Sequence, residues 1–112
     1  MPKPEAEVLR GTLDLMVLRI LDTLGPLHGY GIARRLEEVA EGALSLNQGT
    51  LYPALLRLQH RGWIRAEWGI SENNRRARYF SLTRTGQRQL VWEARNWHLI
   101  SAIIDRLLAG TQ

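Results

Sequence analysis

At Trp63 the apolar period of this chain changes, and that change restricts the fold more than any other feature. Before it, apolar residues recur every three or four positions. After it, Ile64, Ala66 and Trp68 alternate with Arg65 and Glu67, and Phe80 and Leu82 later alternate with Tyr79 and Ser81. A period near 3.6 belongs to helices and a period of two to strands. Between the two alternating runs lies the polar stretch "GISENNRR", in which Asn73 and Asn74 tolerate a left-handed turn. The spacing predicts helices first and then one β-hairpin.

Three helical segments precede the switch. In "TLDLMVLRILDTLGP", Leu13, Met16, Val17, Ile20, Leu21 and Leu24 form a stripe that Leu15 and Leu18 widen, so this helix is expected to lie centrally. Thr12 is a candidate cap, and Gly25-Pro26 ends the helix. A second helix is predicted from Tyr30 to Ala40, with Ile32, Leu36 and Val39 inward, stopping at Gly42. In "NQGTLYPALLRLQHRG", Leu51, Ala54, Leu55 and Leu58 make a third stripe. Pro53 lacks an N–H and is tolerated in a first turn, so the third helix is expected to start near Gly49 or Thr50, with Thr50 as its cap. Its opening would then expose Gln48, Thr50, Tyr52 and Pro53, with Arg57 on about the same side.

After Thr83, another natural cap, helical periodicity returns from about Arg84 to Ala109. Between Leu90 and Leu108 the apolar positions go nearly all the way round this helix, and a helix apolar on every side must be buried on every side. One face is expected to lie on the first helix, near Leu13 and Leu9. The remaining face, with Leu90, Trp97, Ile100, Ile104 and Leu107, would need a second copy of the chain. The expected organisation is mainly α with a small β-hairpin: a winged helix-turn-helix over 1–83 and a long dimerisation helix over 84–112.

Charge distribution suggests what such a fold would meet. Residues 57–88 carry eight arginines against two acids, Glu67 and Glu72, while the whole 112-residue chain has a net charge of +4. All but one of its 15 basic residues are arginine, the side chain suited to bidentate contacts with phosphate and guanine. A cationic hairpin following three helices points to a polyanionic partner, with duplex DNA favoured over RNA or protein. In that arrangement the third helix enters the major groove, and the wing, with Asn73, Asn74, Arg75, Arg76 and Arg78, reaches the flanking backbone or minor groove. The alternative is a winged-helix adaptor that binds proteins and has no specific DNA site.

Other classes find little support in the residues. There is no cysteine, hence no disulfide or thiolate metal site. His28, His60 and His98 sit on different elements, and no HExxH, Walker or GxGxxG pattern occurs, so neither an enzyme nor a bound cofactor is expected. No apolar run approaches the roughly 20 residues of a membrane span. A cytoplasmic location is expected.

Over nearly its whole length the sequence resembles the PadR family of bacterial transcriptional regulators. The resemblance rests on "GTLDLMVLRIL" at 11–21, "GPLHGYGIARRLE" at 25–37, "NQGTLYPALLRLQHRGWI" at 47–64 and "ENNRRARYFSLTRTG" at 72–86. The single-helix ending is similar to the compact branch of the family, and "SENNRRARYF" to a subgroup common in Acidobacteria. The resemblance implies a homodimeric repressor that occupies a promoter. It places the reading surface at Gln48, Thr50, Tyr52, Pro53 and Arg57 and the wing at Asn73, Asn74, Arg75, Arg76 and Arg78. His28 and Tyr30, in the family's HGY motif, are expected to order the second helix. Some members hold flat aromatic effectors between tryptophans. Trp92 and Trp97 are the counterparts here, but at five residues' spacing they point about 140° apart, which favours an aromatic dimer core over a ligand sandwich.

Overall fold

The computed structural model of the chain describes residues 10–44 and 48–110. The elements run α1 (Arg10–Leu24), β1 (Leu27–His28), α2 (Gly29–Ala40), α3 (Gln48–His60), β2 (Ile64–Ile70), β3 (Arg76–Leu82) and α4 (Arg84–Leu108). This is a winged helix with a long terminal helix, the mainly helical class that the periodicities indicate. As expected, α1 is central, and it touches α2, α3, α4 and β3. Its Val17 and Leu18 are fully buried, and they meet Ile32 of α2, Leu51, Leu55 and Leu58 of α3, and Ile64 and Phe80 of the sheet. Burying an aliphatic side chain of this size contributes about 1.5–3 kcal/mol, so this one cluster holds all three helices to the hairpin.

The sheet is antiparallel in the order β1-β3-β2. Hairpin register sets Ala66 opposite Phe80 and Trp68 opposite Arg78. The third strand was not expected: two residues, Leu27 and His28, pair with Phe80 and Tyr79 and fasten the α1–α2 turn to the wing. At the hairpin tip Asn74 takes the left-handed conformation with φ 59°, while Ser71 donates from its N–H to the Arg75 carbonyl at 2.7 Å and accepts from Asn74 N–H at 2.9 Å.

Several boundaries differ from expectation for identifiable reasons. Thr12 lies inside α1, which already includes Arg10, and so is not its cap. Thr50 likewise lies inside α3, because that helix begins at Gln48. Pro53 is therefore in the second turn, where it withholds the N–H that would reach the Gly49 carbonyl. Val39 is 62% exposed, since the inward stripe of α2 ends at Leu36. Two caps are as expected. His28 accepts from Gly31 N–H through Nδ1 at 3.0 Å, and Thr83 accepts from Gly86 N–H at 3.0 Å.

α4 has two parts. Gly86 and Leu90 are buried at its start. Leu90 was expected at a subunit interface, but it is 7% exposed in the chain's own core, because the opening turns of α4 pack on the winged-helix domain. Farther along, Trp97, Ile100, Ile104 and Leu107 are 46%, 44%, 46% and 69% exposed. α1, α2 and α4 frame an open, mostly apolar cleft of about 930 Å³, lined by residues including Met16, Ile20, Val39, Val91 and Trp97. Trp92 is exposed and does not line the cleft, as the spacing of the two tryptophans requires. Leu9 lies outside the described residues.

Candidate nucleic-acid interface

A second concavity, about 650 Å³, opens on the side where the start of α2, the outer face of α3 and the wing converge. His28 lines it from β1, Tyr30 and Arg34 from α2, Tyr52 and Leu56 from α3, and Trp68, Asn73, Arg75, Arg76 and Arg78 from the hairpin. Its position follows from local structure. The His28 cap fixes the first turn of α2, and the His28 ring lies 5.3 Å from that of Tyr79, its partner across the β1–β3 ladder. The α2 start and the wing are thereby held at a fixed separation, with α3 between them.

On α3 the outward face is Tyr52, Leu56 and Gln59, spaced four and three residues apart. Tyr52 is 51% exposed, and Thr50 and Pro53 are exposed beside it. Gln48 is the first residue of α3, and its side chain lies outside the described residues. Gly29 is packed under Tyr52: a methyl group there would sit 3.6 Å from the Tyr52 hydroxyl oxygen.

Arg57 does not join this face. It turns inward and pairs with Asp14 of α1, a residue only 7% exposed, through Nη2 to Oδ1. Five residues after Tyr52, Arg57 is rotated about 140° from it at 100° per residue, and that rotation aims it at α1. The sequence expectation that Arg57 shares the reading surface is corrected on this point. Its guanidinium charge is spent on a carboxylate.

The wing residues are gathered as expected. Asn73, Asn74, Arg75 and Arg76 are exposed at the tip. Arg78 is partly buried, with Nη2 donating to Gln59 Oε1 at 3.5 Å, a contact that joins wing and α3. Among the described residues none of these three arginines is ion-paired. Among the described residues Glu72 is the one acid lining the groove, against Arg34, Arg75, Arg76 and Arg78, so the concavity is cationic. Sequence reasoning gave Tyr30 only a structural role and did not place Arg34 or Trp68 on this surface. For Trp68 the signal was available, since it continues the Ile64–Ala66 alternation into the arginine-rich tip. For Arg34 there was none, because the pairing that brings α2 to the wing is only two residues long.

The family model for "Transcriptional regulator PadR-like family" matches residues 17–91, a span from the core of α1 to the start of α4. The chain belongs to the PadR-like family. Solved structures agree with that assignment. A transcriptional regulator from Clostridium thermocellum is 27% identical with a TM-score of 0.80, over 90% of this chain and 97% of that one. A PadR-like transcriptional regulator from Bacillus cereus strain ATCC 14579 is 26% identical with a TM-score of 0.77, over 92% and 97%. A PadR family transcription regulator from Clostridium difficile R20291 is 28% identical with a TM-score of 0.72, over 86% and 97%. This PadR-like chain is a DNA-binding transcriptional regulator and not an enzyme. No helix among its described residues is long and apolar enough to cross a membrane.

Proposed function

We propose that this PadR-like chain is a cytoplasmic repressor that binds an inverted-repeat operator as a homodimer. The observation that carries the proposal is the groove in which Tyr52 and Leu56 of α3 face three wing arginines that have no ion-pair partner among the described residues. In such a groove α3 enters the major groove, Thr50 and Tyr52 meet base edges, and Arg75, Arg76 and Arg78 meet phosphates. Gln48 and Pro53 belong to the same opening of α3. Asn73 and Asn74 shape the tip so that its cations project.

The exposed apolar side chains at Trp97, Ile100, Ile104 and Leu107 support dimerisation through the outer half of α4. Trp97 borders its own subunit's cleft and Trp92 points elsewhere, so a role in the dimer core is favoured over one shared effector sandwich. Two winged helices related by a two-fold axis would read two half-sites about one helical turn, or a multiple of it, apart.

Duplex selection followed by binding at graded salt tests the proposal. A symmetric site should emerge, and affinity should fall steeply with salt as several phosphates lose condensed counterions. Arg75→Ala with Arg76→Ala should weaken all sequences by similar factors and make the salt dependence shallower, whereas Tyr52→Ala should reorder preferences among operator variants. Equal affinity for unrelated duplexes at physiological salt would refute sequence-specific repression.

A further inference from the structure

Trp68 is 62% exposed on a strand whose same face, one residue pair earlier, is core: Ala66 stands opposite buried Phe80. Trp68 opposite Arg78 and Ile70 opposite Arg76 continue that face beyond the edge of the core, toward α3. Trp68 and Ile70, each 62% exposed on the same face of β2, leave an apolar patch beside a cluster of cations, and a patch is informative where one exposed side chain is not. The Arg76 guanidinium carbon lies 4.5 Å from the Trp68 ring centroid, and that of Arg78 lies 5.9 Å from it. Arg78 has further partners in Phe80 and Gln59, whereas Trp68 is the one ring on which Arg76 stacks among the described residues. The opposite face of the hairpin differs in character. It holds the exposed Arg65–Glu67 pair, and Tyr79 donates its hydroxyl to the Ile70 carbonyl at 3.1 Å.

We infer that Trp68 is a positioning residue for DNA binding, a platform that holds Arg76 and, more weakly, Arg78 in the orientation in which they meet phosphates. The inference rests on the reading of the wing as a backbone-contacting element. A free arginine samples many rotamers, and fixing it at a phosphate costs entropy. Stacked on the electron-rich face of an indole, the guanidinium is already confined while its N–H edge stays open to an anion. The platform therefore acts through the arginines and carries no base preference of its own.

The test uses the full chain and compares Trp68→Leu, Trp68→Phe and Arg76→Ala, singly and combined. Because Trp68 is exposed, the urea midpoint should hardly move. Trp68→Leu, which removes no charge, should weaken binding to operator and unrelated duplexes alike by about two- to fivefold. It should also make the salt dependence shallower by up to about one phosphate contact, a change that a merely structural role would not cause. Trp68→Phe should recover most of the loss, and Trp68→Leu should have little effect once Arg76 is alanine. If Arg76→Ala weakens binding while Trp68→Leu does not, or if the two losses simply add, the platform is overturned and the wing reading stands. If Arg76→Ala leaves binding unchanged, both fall together.

Discussion

Arg57 is the residue on which the sequence expectation and the fold diverge most, and its replacement discriminates between them. In the structure Arg57 and Asp14 bridge α3 and α1, with side-chain exposures of 19% and 9%. Arg57 Nε is buried and has no hydrogen-bond partner among the described residues. Removing one member of a buried pair typically costs 3–5 kcal/mol, and the partial solvent access of Arg57 brings the estimate for Arg57→Ala to about 3 kcal/mol. With a urea slope of roughly 1–3 kcal/mol/M, the unfolding midpoint should drop by about 1–3 M. Protein concentration must be held fixed, since the stability of the proposed dimer would depend on it. Replacing both partners with apolar residues, Asp14→Leu with Arg57→Met, should restore most of the loss, because no uncompensated charge remains. The salt dependence of DNA binding at temperatures where the variants are folded should match the parent. An Arg57→Ala protein of parental stability whose salt dependence is shallower by one contact would refute the reasoning and return Arg57 to the DNA surface.

Gly86→Ala should destabilise the chain by about 1–3 kcal/mol or more, because the added methyl would fall 2.0 Å from the Trp63 carbonyl oxygen; thermal unfolding reads this directly. His28→Ala should cost roughly 1 kcal/mol through loss of the α2 cap, measured by urea titration, and His28→Asn should recover part of it. Light scattering at micromolar concentration should give a dimeric mass, and Ile100→Glu with Ile104→Glu should lower it toward the monomer without unfolding the winged helix, since both side chains are exposed within one chain.

Much of the fold was legible because it rests on periodicity. The stripes of α1 and α3 and the change at Trp63 reflect which faces must leave water: Leu13, Val17, Ile20 and Leu21, then Leu51, Ala54, Leu55 and Leu58, then Ile64 and Phe80 are buried. Leu24 at the end of α1 and Trp68 on β2 were expected in the same patterns and are instead 48% and 62% exposed, beyond the edge of the core. What was not legible depends on angles and on short pairings. Arg57 lies in the same helix as Tyr52 and close to it along the chain, and only the 100° advance per residue separates their directions. Leu90 belongs to the same apolar run as Ile100, yet nothing in composition marks where along α4 the domain's own core ends. β1 is too short to produce an alternation, and so the approach of α2 to the wing, with Tyr30 and Arg34, is invisible until the chain is folded. The cationic wing was the easiest part of the site to find, because arginines at a hairpin tip stay exposed whatever the packing beneath them.

One side chain joins α3 to α4. The Thr83 hydroxyl donates to the Gly62 carbonyl at 2.7 Å, just beyond the end of α3, and accepts from Gly86 N–H in the first turn of α4. Beside it, Thr83 N–H donates to the Trp63 carbonyl at 3.0 Å. These three hydrogen bonds tie the end of α3 to the start of α4 at one corner. α4 then behaves as a lever about 37 Å long, and a tilt of about 5° where two such levers cross displaces the opposite end by roughly 3 Å. That displacement is comparable to the rise of one base pair. In the proposed dimer, adjusting how two copies of α4 cross would therefore reset the separation of two α3 helices as a change of span, with the proposed reading surface of each carried along.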